Sequence, residues 1–457
     1  MSTDWREPLL HGASVLDVRL ARRNPGAWSG YDPQTAVRAY RLAGTPDRPG
    51  PVALVWDFSV QGGSFSEDDA TVFSKAVAHA VQERVPVVSL VRTGGTRLQE
   101  GMAALVGIPR ARVALLALAQ AGLPHLAVAD SPTTGGVWIS IVSGADIRAA
   151  VAGATVGFAG PRVVEALTGA LPGPHSHTAA SAYAAGLVDA LLPGEGVRDW
   201  LAAVLLALSP SPRITEVPSG RSVPQQVGGW EQVTRTRRRT VSGRDLLRLL
   251  LTDNVPLQAL SSDRSVAAEI GRLAGRPVVA VALAADLGGK PTPDGYRLAT
   301  RAYRLAGRLG LPLVNLIDTP GADPSPAAEQ AGMAMAITES LDALLTCPGP
   351  TLALVHGEGG SGGAMSAAAT DRVLITADSY FAPMAPEGAA AALRRPAAEC
   401  ADQMRVTPAD LLALGFADAL VEPSDLAGHL VELLAIPEPQ RRAARVARWS
   451  APLPGHL

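Results

Sequence analysis

The chain has 457 residues, 47% hydrophobic and 18% charged, a composition typical of soluble globular proteins and a length sufficient for two cores. Its formal net charge of −2 gives no electrostatic argument for nucleic-acid binding. Cys347 and Cys400 are the only cysteines, which excludes a disulfide framework and a cysteine-rich zinc module. We therefore expect no metal in this chain and a cytoplasmic location. We expect no membrane association, because charged and turn-forming residues interrupt the apolar stretch 111–129.

Short runs rich in Val and Leu alternate with Ala-rich segments of helical period along the chain. In the first half, helices are predicted over 70–82 and 103–121. In the second half, helices are predicted over 295–310 and 328–345. Regular alternation of strands and helices predicts an α/β fold with substantial parallel pairing.

Four sequence blocks recur in the same order in both halves of the chain, at an offset within a few residues of 226. This ordered recurrence indicates a duplicated domain, and the repeat is too long for a solenoid unit. The paired blocks are 85–95 with 311–321, 123–147 with 349–373, 156–167 with 379–393, and 184–193 with 413–423.

The repeat predicts a first domain over 1–208 and a second over 246–457. The segment between them, 209–245, is rich in Pro, Gly, Ser and Arg, which is typical of a linker at the surface. Its arginines allow two interpretations, a phosphate-binding cluster or a solvated linker face. The residues concerned are Arg235, Arg237, Arg238 and Arg239.

Adjacent glycines stand between a buried strand and a helix in each half, Gly135–Gly136 in the first and Gly362–Gly363 in the second. Without Cβ atoms, the backbone at these turns can approach a ligand closely. Amides at the start of a helix also point outward without intrahelical partners. The turns therefore predict two oxyanion holes, although tight turns needed only for packing would show the same pattern.

The second turn also satisfies two other motifs. Gly357, Gly359 and Gly362 fit the dinucleotide pattern G-x-G-x-x-G, but the segment after them is short for a crossover helix. Ser361 lies in a G-x-S-x-G pattern, and His429 is the candidate partner for a serine hydrolase.

With these blocks placed, the chain resembles the carboxyltransferase of acetyl-CoA carboxylase, in a fused beta-alpha arrangement. Residues 28–205 resemble the beta subunit through "QGGSFS", "RTGGTRLQEGM", "AGLPHLAVADSPTTGGV" and "VGFAGPRVVEAL". Residues 240–425 resemble the alpha subunit through "PTPDGYRLATRAYRLAGR", "PLVNLIDTPGADP" and "GEGGSGGAMSAAATDRVLI". The resemblance implies two tandem crotonase-like domains.

The resemblance also implies a reaction and roles for the glycines. Carboxybiotin on a carrier protein would release carbon dioxide beside an acyl-CoA, whose enolate then attacks it. Gly135 and Gly136 would hold the thioester enolate, and Gly362 and Gly363 the ureido oxygen of biotin. Gly94, Gly95 and Arg97 would line the entrance for coenzyme A. Gly359 and Gly360 would flank the biotin turn.

The implied partners are a biotin carboxyl carrier protein and a biotin carboxylase, with acetyl-CoA as the expected substrate and malonyl-CoA as its product. We also expect a homodimer or a larger homo-oligomer, because the helices predicted at 103–121 and 328–345 are too apolar to be fully solvated. Two alternatives remain open, a malonyl-thioester decarboxylase built on the same paired domains and a non-catalytic scaffold.

Overall fold

The computed structural model describes residues 4–44, 49–173, 175–210, 219–258 and 263–453. The chain divides into two compact units, Met1–Ala202 and Ala203–Leu457, which we call unit 1 and unit 2. The described strands and helices of unit 1 are β1 (Ser14–Val15), β2 (Val37–Arg41), β3 (Val52–Trp56), β4 (Val87–Thr93), β5 (His125–Thr134), β6 (Ile147–Val151), β7 (Val156–Gly157), β8 (Ala190–Leu192), α1 (Glu7–Leu10), α2 (Glu67–Glu83), α3 (Met102–Gln120), α4 (Gly135–Val137), α5 (Pro161–Thr168), α6 (Ala179–Ala184) and α7 (Val197–Ala207), which crosses into unit 2.

Unit 2 repeats the strand order of unit 1 and contains additional helices. Its elements are α8 (Gly229–Thr236), α9 (Gly243–Leu250), β9 (Leu251–Leu257), β10 (Val266–Leu273), β11 (Arg276–Leu283), α10 (Pro293–Leu309), β12 (Leu313–Thr319), α11 (Pro326–Gln330), α12 (Met333–Leu345), β13 (Thr351–Gly360), α13 (Ser361–Ala368), β14 (Arg372–Ile375), β15 (Tyr380–Ala382), α14 (Pro386–Leu393), α15 (Ala397–Gln403), α16 (Pro408–Ala413), β16 (Ala419–Leu420), α17 (Leu426–Leu434) and α18 (Glu438–Ser450).

The two sheets have the same topology, which confirms the duplicated α/β fold. In unit 1 the order is β1-β2-β3-β4-β5-β6-β8, with β7 paired to the end of β5. In unit 2 it is β9-β10-β11-β12-β13-β14-β16, with β15 paired to the end of β13. The first two pairings in each sheet are antiparallel and the rest are parallel. The central parallel strands are almost wholly buried, as expected when helices cover both faces.

The helices begin where their sequences provide caps. Ser66 caps α2 by accepting a hydrogen bond from Asp69 N–H, and the Asp69 carboxylate accepts one from Ser66 N–H. Thr292 and Pro293 begin α10 in a similar way, and Gly310 ends it in the left-handed conformation. The predicted helix over 328–345 is broken into α11 and α12, because Gly332 adopts a φ of 84° between them.

The linker prediction for 209–245 is wrong for the residues from 229 onward. These residues form α8 and the start of α9, and both helices belong to unit 2. Gln232 is buried and donates hydrogen bonds from Nε2 to the carbonyl oxygens of Ala377 and Ser379. The sequence at 211–218 lies outside the described residues.

Helix α3 is long and apolar enough to cross a membrane by length and composition, and it is the one such helix in the described ranges. Ala104, Gly107 and Leu118 lie on its buried face, and the helix packs against α2. Its other face exposes several large apolar side chains, which we call the α3 apolar face: Met102, Leu105, Val106, Val113 and Leu116.

Candidate active site

The central strand of each sheet runs directly into a short helix, and the two turns are equivalent. In unit 1, β5 ends at Thr134 and α4 begins at Gly135, which has a φ of 71°. In unit 2, β13 ends at Gly360 and α13 begins at Ser361, which has a φ of 63°. Gly135 therefore corresponds to Ser361, and Gly136 to Gly362, which shifts the sequence alignment of the glycine pairs by one residue.

A second loop lies beside each turn and has the same internal hydrogen bonds in both units. In unit 1, Thr93 Oγ1 accepts from Gly95 N–H at 3.0 Å and donates to Gly95 O at 3.2 Å. In unit 2, Thr319 Oγ1 bonds Gly321 at 3.1 and 2.8 Å in the same pattern. Both glycines have a positive φ, which the loop requires in order to turn back towards the helix.

In unit 1, two backbone N–H groups are candidate donors to an oxyanion. Gly135 N–H is not one of them, because it donates to Phe158 O at 3.0 Å. Gly136 N–H lies in the uncapped first turn, and Thr96 N is 4.0 Å from the point where a Cβ of Gly135 would lie. Neither Gly136 N–H nor Thr96 N–H has an acceptor among the hydrogen bonds of the described residues.

In unit 2, the equivalent donors are Gly362 N–H and Ala322 N–H. Gly362 is exposed in the uncapped first turn of α13, and a Cβ there would meet no atom within 4 Å. Ala322 N lies 2.9 Å from the point where a Cβ of Gly363 would lie. These two N–H groups also have no acceptor within the part of the chain that the structure describes. Two fixed, unpaired N–H groups at the positive end of a helix are suited to stabilise an oxyanion.

Sequence reasoning missed Thr96 and Ala322. Each follows the glycine of the loop after the preceding strand, in "TGGTR" and "TPGAD", and the two are 226 residues apart. The repeat itself was the signal that could have identified them. Gly94 and Gly95 contribute by shaping this loop, since Gly94 N–H bonds Gly62 O and Gly95 N–H bonds Thr93 Oγ1.

Three glycines of the predicted site in unit 2 have no room for a side chain. A Cβ on Gly359 would lie 2.2 Å from the Phe381 ring, and one on Gly360 would lie 2.0 Å from Pro320 O. A Cβ on Gly363 would lie 2.5 Å from the hydroxyl of Tyr296, which burial leaves with a raised pKa. Gly359, Gly360 and Gly363 are all buried. The structure therefore does not support ligand contacts through their missing side chains.

The dinucleotide and serine hydrolase interpretations both fail on geometry. A Cβ on Gly357 would overlap Asp318 Oδ1 at 2.0 Å, so that glycine is also a packing residue. His429 contacts Arg372, which is level with Leu352 near the beginning of β13. Ser361 follows the opposite end of that strand, about 30 Å away by strand geometry. No triad can form between Ser361 and His429.

Comparison with known proteins places the chain in a family. A family model described as acetyl co-enzyme A carboxylase carboxyltransferase-like matches residues 221–436. Acetyl-coenzyme A carboxylase carboxyl transferase subunits beta/alpha of Salinispora tropica is 36% identical over 451 residues, covering 88% of this chain and 79% of the relative. The probable biotin-dependent acyl-coenzyme A carboxylase beta3 subunit of Mycobacterium tuberculosis is 35% identical, covering 86% of this chain and 84% of the relative.

This chain belongs to the carboxyltransferases of biotin-dependent acyl-CoA carboxylases. The fold agrees, because the transcarboxylase 12S structure superimposes with a TM-score of 0.76 at 22% identity, covering 95% of this chain and 89% of that one. A single-chain, multi-domain long-chain acyl-CoA carboxylase superimposes with a TM-score of 0.70 at 18% identity, covering 87% of this chain and 41% of that one. The predicted tandem crotonase-like fold is thereby confirmed.

Within this carboxyltransferase, Arg97 does not line an entrance for coenzyme A. Its side chain is completely buried. The guanidinium donates to Ser64 Oγ at 3.0 Å and to the carbonyl oxygens of Ser64 and Gln34, and it lies 3.4 Å from Asp69 Oδ2. Burial raises the pKa of the Asp69 carboxyl to about 6, an effect that the charge of Arg97 opposes. Arg97 is a structural residue of unit 1.

The arginines predicted to form a phosphate cluster or a solvated linker face mostly pair with carboxylates of unit 2. Arg235 pairs with Asp378 at 2.5 Å, and Arg239 pairs with Asp318. Arg237 bonds both oxygens of Glu387, which raises the pKa of its guanidinium and lowers that of the Glu387 carboxyl. The exception is the exposed Arg238, which lines a cavity of about 530 Å³.

The remaining charged or metal-binding groups near the turn contribute no further site. Burial lowers the pKa of His356 to about 4, so its imidazole is neutral at physiological pH. Nowhere in the described ranges do three His, Cys, Asp or Glu side chains lie together as a potential metal site.

The two glycines in the first turn of α13 should respond differently to valine. We expect Gly362→Val to fold normally but to lose about 100-fold or more in turnover, because the added side chain occupies the space in front of the donors. Gly363→Val should instead unfold, because its Cβ collides with Tyr296 and Ala322. Thermal unfolding and steady-state turnover of both variants test this, and a stable, active Gly362→Val protein would contradict it.

Replacing Arg97 should affect stability rather than substrate affinity. We expect Arg97→Met to lower the free energy of unfolding by about 3–5 kcal/mol, because it leaves Asp69 buried without its partner. The KM for acyl-CoA of the protein that remains folded should not change. Urea denaturation measures the first effect, with Arg38→Met as the control, since its exposed pair with Asp57 is worth about 1 kcal/mol or less. A large rise in KM without loss of stability would restore a role in binding coenzyme A.

Proposed function

We propose that the chain transfers the carboxyl group of carboxybiotin, held on a carrier protein, to the α-carbon of acetyl-CoA. The observation that carries this proposal is the occurrence of the same pair of unpaired N–H groups at the same place in both units. A reaction between carboxybiotin and a thioester generates two oxyanions, the thioester enolate and the ureido oxygen of biotin. A duplicated donor pair is suited to a reaction with two such centres.

In this proposal each donor pair stabilises one oxyanion. Thr96 N–H and Gly136 N–H would bind the thioester enolate, because unit 1 resembles the beta subunit. Ala322 N–H and Gly362 N–H would bind the ureido oxygen. Neither unit needs a side-chain base at the turn, since the biotin oxyanion can accept the α-proton. Fixed donors in both units lower the barrier without the cost of reorganising water around each new charge.

Acetyl-CoA is proposed because several relatives carry it in their names. The biotin carboxyl carrier protein and the biotin carboxylase would be separate chains, and a role in fatty acid biosynthesis would follow from malonyl-CoA as the product. We also propose a cytoplasmic location, consistent with the two free, buried thiols of Cys347 and Cys400.

The requirement for biotin distinguishes this function from its alternatives. We expect the purified protein to decarboxylate malonyl-CoA when free biotin is added and to be inactive without it, because biotin must accept the carboxyl group. Turnover is measured as the amount of acetyl-CoA released. In the forward direction, acetyl-CoA should be carboxylated faster than propionyl-CoA. Equal turnover without biotin would identify a malonyl-thioester decarboxylase, and no turnover in either case would favour a non-catalytic scaffold.

We further propose that the protein is a homo-oligomer assembled through the α3 apolar face. Met102 and Val113 are 68% and 66% exposed, and their neighbours extend the same surface from Met102 to Leu116. Exposed apolar surfaces of this extent mark contact sites in soluble proteins. The transcarboxylase 12S structure is itself described as a hexamer assembly. A second copy of this chain is the occupant we propose.

Charges on the α3 apolar face should dissociate the oligomer. We expect the double variant Leu105→Glu, Val113→Glu to lower the molar mass measured by light scattering to that of a single chain, because both carboxylates would lose hydration at a contact. Leu249→Glu serves as the control, since Leu249 is 75% exposed on another helix. An unchanged molar mass for the double variant, or an active wild-type monomer, would contradict the proposal.

A further inference from the structure

A buried arginine-carboxylate pair lies behind the two candidate donors of unit 2. Arg239 Nε donates to Asp318 Oδ2 at 2.8 Å, and Nη2 donates to Asp318 Oδ1. Nη1 donates to Thr236 O at 2.9 Å and lies 3.6 Å from a carboxylate oxygen of Glu358. The side chain of Asp318 is fully buried, and that of Arg239 is 10% exposed. The guanidinium therefore reaches from the end of α8 into the carboxyl edge of the sheet.

Both strands that carry the donors are tied to this pair. Asp318 is the penultimate residue of β12, four residues before Ala322. Its Oδ1 also accepts a hydrogen bond from Glu358 N–H at 2.9 Å. Glu358 lies on β13, four residues before Gly362. One carboxylate thus connects the strand leading to the first donor with the strand leading to the second.

The side-chain bond is needed because the ladder of backbone bonds is interrupted at this point. The pairing of β12 with β13 shifts register between Ile317 and Thr319. Asp318 lies in that irregularity, and strand pairing resumes one residue later, between Thr319 and Gly359. Glu358 N–H bonds the Asp318 carboxylate there. Between the two paired stretches, the link from strand to strand is therefore the Asp318 side chain, which Arg239 holds by two hydrogen bonds.

In unit 1, the equivalent peptide group is bound by a side chain of the opposite charge. The pairing of β4 with β5 also shifts register, between Val91 and Thr93, and Arg92 occupies the position of Asp318. Arg92 Nε donates to Ser131 O at 2.6 Å. The peptide joining Ser131 to Pro132 corresponds to the one joining Gly357 to Glu358. Because Pro132 has no N–H, the cross-strand bond in unit 1 uses the carbonyl oxygen and requires a donor.

An arginine from outside the parallel strands also contacts the central strand of each unit, although the two contacted residues are not equivalent positions of the repeat. Arg6, immediately before α1, pairs with Asp130 on β5 at 2.7 Å. In unit 2, Arg237 Nε donates to Glu358 Oε2 on β13 at 3.2 Å, and Tyr380 donates to the same oxygen at 2.7 Å. The two halves thus share one feature, a cross-strand side-chain bond at the irregularity, from Arg92 to Ser131 O in unit 1 and from Glu358 N–H to Asp318 in unit 2. This shared bond indicates that both units need a fixed spacing between the ends of the two strands.

We infer that Arg239 and Asp318 are positioning residues for the reaction, which set the spacing between Ala322 N–H and Gly362 N–H. The inference rests on the proposed carboxyl transfer, because it assigns these N–H groups to one oxyanion. An oxyanion hole is sensitive to such spacing, since each donor must lie within hydrogen-bond distance of the same oxygen. A displacement of about 1 Å in a catalytic group can cost roughly 100-fold in rate.

The experiment compares two conservative substitutions with a matched control in the same unit. Arg239→Lys keeps the charge but loses the two-pronged contact, and Asp318→Asn keeps the shape but loses the charge. Arg445 forms the same kind of buried bidentate ion pair with Asp371, with both hydrogen bonds at 2.7 Å. Arg445→Lys is therefore the control. Asp371 immediately precedes β14 and bonds Thr351, the first residue of β13, so the control ion pair lies at the opposite edge of the sheet.

In biotin-dependent decarboxylation of malonyl-CoA by the full-length protein, we expect kcat to fall roughly 10- to 100-fold in Arg239→Lys and Asp318→Asn. The KM for malonyl-CoA should stay within about twofold of wild type, and Arg445→Lys should keep the wild-type kcat per folded molecule even if its melting temperature falls. If one site variant does not fold, the other decides the test.

Two results would overturn the inference while leaving the proposed function intact. One is a kcat in the site variants no lower than in Arg445→Lys, and the other is an effect confined to KM. A wild-type protein that shows no biotin-dependent turnover would instead refute the proposed function, and the inference with it.

Discussion

The interruption of strand pairing at the carboxyl edge of each sheet is the constraint on which the candidate site depends. Up to Ile317 in unit 2, backbone bonds hold the central strands at the regular spacing. Beyond it the register shifts, and the strands pair once more at Thr319 and Gly359. One strand then turns through Gly321, while its neighbour turns into α13. A regular ladder would have consumed the N–H groups that instead point outward. The unpaired donors lie just beyond the last paired residues, and a few side-chain bonds link the strands at the irregularity.

This arrangement explains why glycines cluster at the turn and why they are not equivalent. Gly321 supplies a positive φ that turns the loop back. Gly360 and Gly363 allow close contact with the neighbouring loop and with Tyr296. Only Gly362 is exposed with open space before it. A glycine-rich motif can thus contain mainly packing residues, and the candidate functional group at the turn is a backbone amide rather than a position without a side chain.

The duplication shows which features of the site are independent of sequence. Gly135 and Ser361 share one left-handed conformation, although one has a side chain and the other does not. Arg92 and Asp318 carry opposite charges at equivalent positions, yet each bonds the equivalent peptide of the neighbouring strand. Divergence has changed the residues and retained the geometry. The fold preserves the positions of the backbone donors, while the side chains around them differ between the two units.

The sequence by itself determined the α/β class, the duplication, the family and the location of both turns. These features depend on local period, repeated order and long motifs, all of which are visible along the chain. Helices α2 and α10 were predicted almost to their ends, because caps and glycines mark them locally. The same was not true of the helix over 328–345, which Gly332 interrupts.

Only the tertiary structure decided which groups act at the turns. Arg97 looked accessible in a glycine-rich loop, but the loop folds inward and buries it against Ser64 and Asp69. The segment with Arg237 and Arg239 looked like a linker, but it carries the partners of carboxylates more than 75 residues away in sequence. Likewise, whether an amide is free depends on what lies opposite it, as Phe158 does for Gly135. Contacts between distant segments leave no local pattern, and they alone separate a structural residue from one that can bind a ligand.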